Sequence, residues 1–102
     1  MSLPRLSYDD IRSQLDKIPG WVVDGQSIVK RYTFRDFSCA LQFVNVLGQT
    51  AEAVNHHPDI DIRYNKVIIT LSTHESSGIT RKDIDLAVAA DDYASRIPKQ
   101  LF

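Results

Sequence analysis

The sequence predicts an α+β domain, a four-stranded antiparallel sheet covered on one face by helices in the order α-β-β-α-β-β-α. Three observations predict it. Two stretches alternate apolar and polar residues on either side of a tight turn, three stretches repeat apolar residues at spacings of three and four, and the connections are short. Short connections make antiparallel hairpins, whereas parallel strands need long crossovers. The 102 residues suffice for a single domain, 1–102, with one modest core.

Ser7, followed by Asp9 and Asp10, starts a first helix carrying Ile11, Leu15 and Ile18, and Pro19-Gly20 ends it. Trp21–Asp24 and Ser27–Phe34 read as strands around a Gly25-Gln26 turn, with Ile28, Lys30, Tyr32 and Phe34 in one phase. Asp36 caps the main core helix, in which Phe37, Leu41, Val44, Leu47, Ala51 and Val54 recur. Pro58 ends that helix, because proline lacks an N–H and disfavours helical geometry at His57. Asp59–Arg63 and Val67–Thr73 flank the turn-like Tyr64-Asn65-Lys66 as a second hairpin. After the loop Ser76-Ser77-Gly78, Thr80-Arg81-Lys82-Asp83 opens a last helix with Ile84, Leu86, Ala87, Val88 and Tyr93, closed by Pro98. One sheet face and the outer strands stay open in a monomer, so a homo-oligomer, dimer or tetramer, is expected.

Twelve Lys+Arg against thirteen Asp+Glu leave a net charge of -1, which offers no attraction to nucleic acid or to an anionic membrane. A single cysteine, Cys39, rules out an intramolecular disulfide and multi-Cys metal sites and suits a reducing, cytoplasmic setting. No apolar run has signal-peptide or membrane-spanning length, and no segment repeats at a fixed period.

Three histidines stand out as acid–base candidates, because imidazole titrates nearest neutrality. His56 and His57 lie at a helix C-terminus, where a cationic pair would also complement the macrodipole. Glu52 precedes His56 by four residues, one helical turn, and is placed to orient or charge-stabilise that imidazole. Adjacent helical residues point about 100° apart, so both rings reach one pocket only if the chain bends, which Pro58 favours. His74 continues the phase of Ile68, Thr70 and Ser72, opposite to Val67, Ile69 and Leu71, which are expected to face the helices.

Glu52, His56-His57-Pro58, Tyr64, His74 and Asp83, at these spacings, resemble the signature of the pterin-4a-carbinolamine dehydratases. Tyr64–Glu75, Tyr-Asn-Lys-Val-Ile-Ile-Thr-Leu-Ser-Thr-His-Glu, is similar to the family's most recognisable strand, and the order of elements agrees over nearly the whole chain. The resemblance implies a cofactor-free hydro-lyase that dehydrates a 4a-hydroxytetrahydropterin to the quinonoid dihydropterin, supporting tetrahydrobiopterin recycling. It implies His56 and His74 as acids near the leaving hydroxyl, and His57 as a pterin contact that helps handle the N5 proton. A strand terminus around Ser72, Thr73 and His74 would pair with the flat pterin edge through backbone groups. Asp83 fits either the substrate site or a capping role with Thr80. Asn55 stands where relatives often have Asp, and Ile60 where an aromatic residue is common, which implies differences in rate and substrate preference.

Two other classes compete. A zinc hydrolase would also use three histidines, with Glu52 or Asp83 as a further ligand or base, but the sequence lacks a His-Glu-x-x-His spacing. Members of the resembled family also act as protein partners, including as dimerisation cofactors of a homeodomain transcription factor in animals. A non-enzymatic interaction module, coactivator or assembly factor, is therefore the main alternative.

Overall fold

In a computed structural model describing residues 3–99, the elements run α1 (Tyr8–Leu15), β1 (Val22–Asp24), β2 (Ser27–Thr33), α2 (Phe37–Val54), β3 (Asp59–Arg63), β4 (Lys66–Leu71) and α3 (Arg81–Ser95). A 3₁₀ turn, His74–Ser76, follows β4. The antiparallel sheet has the order β1-β2-β4-β3.

The alternation in β4 decides which way the sheet faces. Val67, Ile69 and Leu71 are fully buried, whereas Ile68 and Thr70 lie on the open face. Directly opposed residues share a face, so the pairs Ile28–Leu71 and Tyr32–Val67 from β2, and Ile60–Ile69 and Ile62–Val67 from β3, extend the same apolar surface. Burying each large aliphatic side chain contributes about 1.5–3 kcal/mol. Phe34 and Phe43 pack with ring centroids 5.0 Å apart and join the sheet to α2.

Local chemistry sets the helix starts. Ser7 Oγ accepts from the Asp10 N–H at 3.1 Å, and Asp36 Oδ1 accepts from the Cys39 N–H at 2.9 Å. Those backbone contacts hold the Asp36 carboxyl below the usual range. Elements are slightly shorter than the sequence suggests: α1 stops at Leu15, β1 starts after the buried Trp21, and β4 stops at Leu71. Phe34 leaves the ladder and forms an isolated bridge with Lys99.

The larger departure concerns the face of α2. Leu47 and Ala51 enter the core as expected, but Phe37, Leu41 and Val54 are exposed, and Cys39, Ala40 and Phe43 are buried instead. The helix carries two apolar stripes, and the one with small residues lies against the sheet, where close approach favours it. Val88 of α3 is likewise exposed. Among the described residues no helix is long and apolar enough to cross a membrane.

A polar pin joins α3 to the first hairpin. Trp21 Nε1, Lys30 Nζ and Tyr32 Oη all donate to Asp91 Oδ1, at 3.2, 2.8 and 2.6 Å. Burial, and then the hydrogen bond and charge of Asp91, push the Tyr32 phenol well above its ordinary value. Below about pH 10 the folded and unfolded chains both keep that proton. Above it the unfolded chain releases the proton while the folded chain holds it, so stability falls by up to about 1.4 kcal/mol per pH unit. Urea unfolding between pH 9 and 11.5 is expected to show this fall in the wild type and a flatter limb in Tyr32→Phe; parallel limbs would contradict it.

Candidate active site

The end of α2 places the histidine pair. Asn55 adopts the left-handed conformation, φ 53° and ψ 46°. The His56 N–H donates to the Ala51 carbonyl at 3.1 Å and the Asn55 N–H to the Glu52 carbonyl at 3.2 Å. This double bond pattern is a Schellman cap, and asparagine tolerates the left-handed angle better than most residues. The helix therefore stops at Asn55 itself, three residues before Pro58, to which the sequence pattern assigns the stop.

Because the chain reverses at Asn55, the one-turn spacing between Glu52 and His56 no longer brings their side chains together. Glu52 pairs instead with His57, Oε2 to Nε2, and both residues are exposed. His56 turns inward to 8% exposure, and its Nε2 lies 2.6 Å from Asp83 Oδ1.

Asp83 is fully buried, and it has further partners. Its Oδ2 accepts from Thr73 Oγ1 at 2.8 Å and from the Thr80 N–H at 2.9 Å. Thr80 Oγ1 lies 2.7 Å from Thr73 Oγ1 and accepts from the Lys82 N–H at 3.3 Å. With Thr73 donating to Asp83, the Thr80 hydroxyl donates to Thr73, and the network closes. Among the described residues no buried side-chain nitrogen or oxygen lacks a partner. The capping box read from Thr80 and Asp83 is present, and the same carboxylate also reaches across to His56.

A largely polar cavity of about 340 Å³ is lined by His56, His57, Ser72 and His74, with Asp59 and Glu75 at its sides. The three histidines thus converge from the end of α2 and the end of β4. His74 itself is exposed and begins the 3₁₀ turn. Glu52 lies outside this cavity, in a groove with Val44 and Ile60, and meets it only through His57.

Two expected substrate contacts are placed differently. Asp83 offers no surface to a ligand and lies behind His56, hydrogen-bonded to its Nε2. Thr73 has its N–H on the Gly78 carbonyl at 2.8 Å, its carbonyl receiving the Ser76 N–H at 3.1 Å, and its hydroxyl in the Asp83 network. Its polar groups are engaged, which leaves Ser72 and His74 at the strand end. Asp59 and Glu75 are cavity residues that sequence reasoning did not single out; their position beside Pro58 and His74 was the available signal.

A carboxylate only accepts hydrogen bonds, so both Asp83 and Glu52 call for a proton on the Nε2 they touch. That leaves Nδ1 of His56 and of His57 as the nitrogen that gives or takes a proton. Two imidazoles oriented in this way, with a third beside them, can move protons to and from one bound molecule. Among the described residues, no group of three or more His, Cys, Asp or Glu side chains is placed to hold a metal ion.

A family model described as pterin 4 alpha carbinolamine dehydratase matches residues 4–93. A Cyanothece sp. (strain PCC 7425 / ATCC 29141) protein named "Putative pterin-4-alpha-carbinolamine dehydratase" is 54% identical over 82 residues, 80% of this chain and 84% of its own length. A protein of the same name from Thermomicrobium roseum is 46% identical over 93 residues, covering 91% of this chain and 100% of its own. Among solved structures, the transcriptional coactivator/pterin dehydratase from Brucella Melitensis superposes with a TM-score of 0.85 at 36% identity, over 88% of this chain and 98% of that one. A pterin dehydratase-like protein described as a RuBisCO assembly factor in the alpha-carboxysome shares the fold, with a TM-score of 0.61 at 21% identity over 72% of this chain and 86% of that one.

Removing the Asp83 carboxylate strands the His56 Nε2–H, the Thr73 hydroxyl and the Thr80 N–H in the interior. Asp83→Ala is expected to lose about 3–5 kcal/mol in urea unfolding, with Asp83→Asn, which keeps the shape and one acceptor, losing less. A loss below about 1 kcal/mol in Asp83→Ala would contradict the role of this network.

Proposed function

The chain belongs to the pterin-4a-carbinolamine dehydratase family, a family of hydro-lyases, and from that premise we propose that it removes water from a 4a-hydroxytetrahydropterin to give the quinonoid dihydropterin. In this reaction the C4a–O bond breaks and the hydroxyl leaves as water after accepting a proton. The N5–H bond gives its proton to a base, and its electron pair becomes the N5=C4a double bond. No electrons are gained or lost, so the work is proton transfer and positioning.

The observation that carries the reading is the meeting of His56, His57 and His74 around one cavity of about 340 Å³, a volume suited to a small flat ligand. In the proposed assignment His56 and His74 serve the leaving hydroxyl, and His57 takes the N5 proton. The Asp83 carboxylate accepts from His56 Nε2 and fixes the orientation of its ring, and Glu52 does the same for His57 from the exposed side. Ser72 and the backbone beside His74 are the proposed contacts for the pterin edge. The proton taken at N5 equals the one given to the hydroxyl, so the site returns to its starting charge after each turnover.

The reading includes a cytoplasmic homo-oligomer. β1 and β3 are the outer strands of the sheet, and Phe37, Leu41, Val54 and Val88 expose apolar surface on α2 and α3.

Stopped-flow dehydration of freshly generated 4a-hydroxytetrahydropterin tests the activity. The wild type is expected to exceed the buffer reaction, and His56→Ala, His57→Ala and His74→Ala each to lower kcat, by about 10²-fold where a proton transfer is lost. A wild-type rate equal to that of buffer would overturn the reading.

A further inference from the structure

The turn that carries His74 is short and is held from outside. It is a single 3₁₀ turn closed by the antiparallel bridge between Thr73 and Gly78 and reversed at Ser77, whose φ of 55° is left-handed. The extended segment before α1 lies along it. The Leu6 N–H donates to the Ile79 carbonyl at 2.8 Å, Ser76 Oγ donates to the Leu3 carbonyl at 2.5 Å, and Arg5 Nη1 reaches the Ser77 carbonyl at 3.5 Å.

Glycine at position 78 makes the closest part of this contact feasible. A Cβ there would stand 2.5 Å from Arg5 Cδ and 2.9 Å from Arg5 Cγ, so the arginine stem rests directly on the loop backbone. Gly78 is not among the positive-φ residues, so the backbone itself admits alanine. It is the Arg5 stem that occupies the space.

We propose that Arg5 is a positioning residue for the dehydration, its stem clamping the His74–Gly78 turn and thereby fixing His74 against the substrate. This rests on the reading of His74 as a proton-transfer group. An exposed contact at the edge of the fold adds little to global stability, but proton transfer depends steeply on where the donor stands. Loss of the clamp therefore acts on kcat more than on Tm or KM.

Four variants test this: Arg5→Ala, Arg5→Met, Gly78→Ala and the double variant Arg5→Ala/Gly78→Ala, with His74→Ala beside them. Arg5→Ala and Gly78→Ala are each expected to lower kcat about tenfold with KM and Tm nearly unchanged. Arg5→Met, which keeps the stem without the charge, restores most of the rate. In the double variant the losses do not add, because the new Cβ has no stem to displace. Amide exchange at Ser76 and Ser77, measured without substrate, is expected to quicken in Arg5→Ala. Unchanged exchange there, fully additive losses, or wild-type kcat in Arg5→Ala alongside a slow His74→Ala would each overturn the clamp. A wild-type rate in His74→Ala would overturn the catalytic reading of His74, and Arg5 would lose its part in the reaction even where loop exchange still responded.

Discussion

The hydrogen bond between His56 and Asp83 is the constraint on which the site depends. A carboxylate with no exposed surface is several kcal/mol unfavourable unless donors surround it, and a buried imidazole needs an acceptor. Asp83 takes donors from three places: His56 at the end of α2, Thr73 after β4 and the Thr80 N–H at the start of α3. Satisfying one buried carboxylate therefore ties together three segments, two of which, the end of α2 and the stretch after β4, carry the residues that line the cavity. Stability and chemical geometry share one origin here.

The two histidine–carboxylate pairs have the same connectivity in different surroundings. His56–Asp83 is buried, with Asp83 fully enclosed, whereas Glu52 and His57 are open to water, where such a pair is screened and contributes little to stability. One ring is thus fixed by the fold and the other by a contact that solvent can exchange. This difference accords with the proposed assignment, in which His56 is a donor at a fixed position and His57 meets the substrate. The Asp91 pin, remote in sequence from these residues, does comparable tethering between the first hairpin and α3 without entering the cavity.

Much of the fold was legible because its causes are local. Ser7, Asp36 and Thr80 cap the helices their positions suggested, and the alternation of Val67, Ile69 and Leu71 set the buried face of β4. The site was legible only through the spacing of Glu52, His56, His57, His74 and Asp83. What remained hidden was pairing. The i,i+4 rule joined Glu52 to His56, but a left-handed Asn55 cancels that rule at the residue where it mattered. The capping box placed Asp83 at the start of α3, yet a contact 27 residues away in sequence leaves no local trace. In α2, two apolar stripes compete, and periodicity alone does not choose between them.

The most direct measurement is a long-range ¹H–¹⁵N correlation spectrum of the imidazole side chains in the wild-type protein near neutral pH, with and without a dihydropterin. Expected is a His56 ring that carries its proton on Nε2 throughout, with Nδ1 of His56 and of His57 and the ring of His74 all responding to the ligand. A neutral His56 protonated on Nδ1, or a ligand that leaves the three rings unmoved, would contradict a site organised around Asp83.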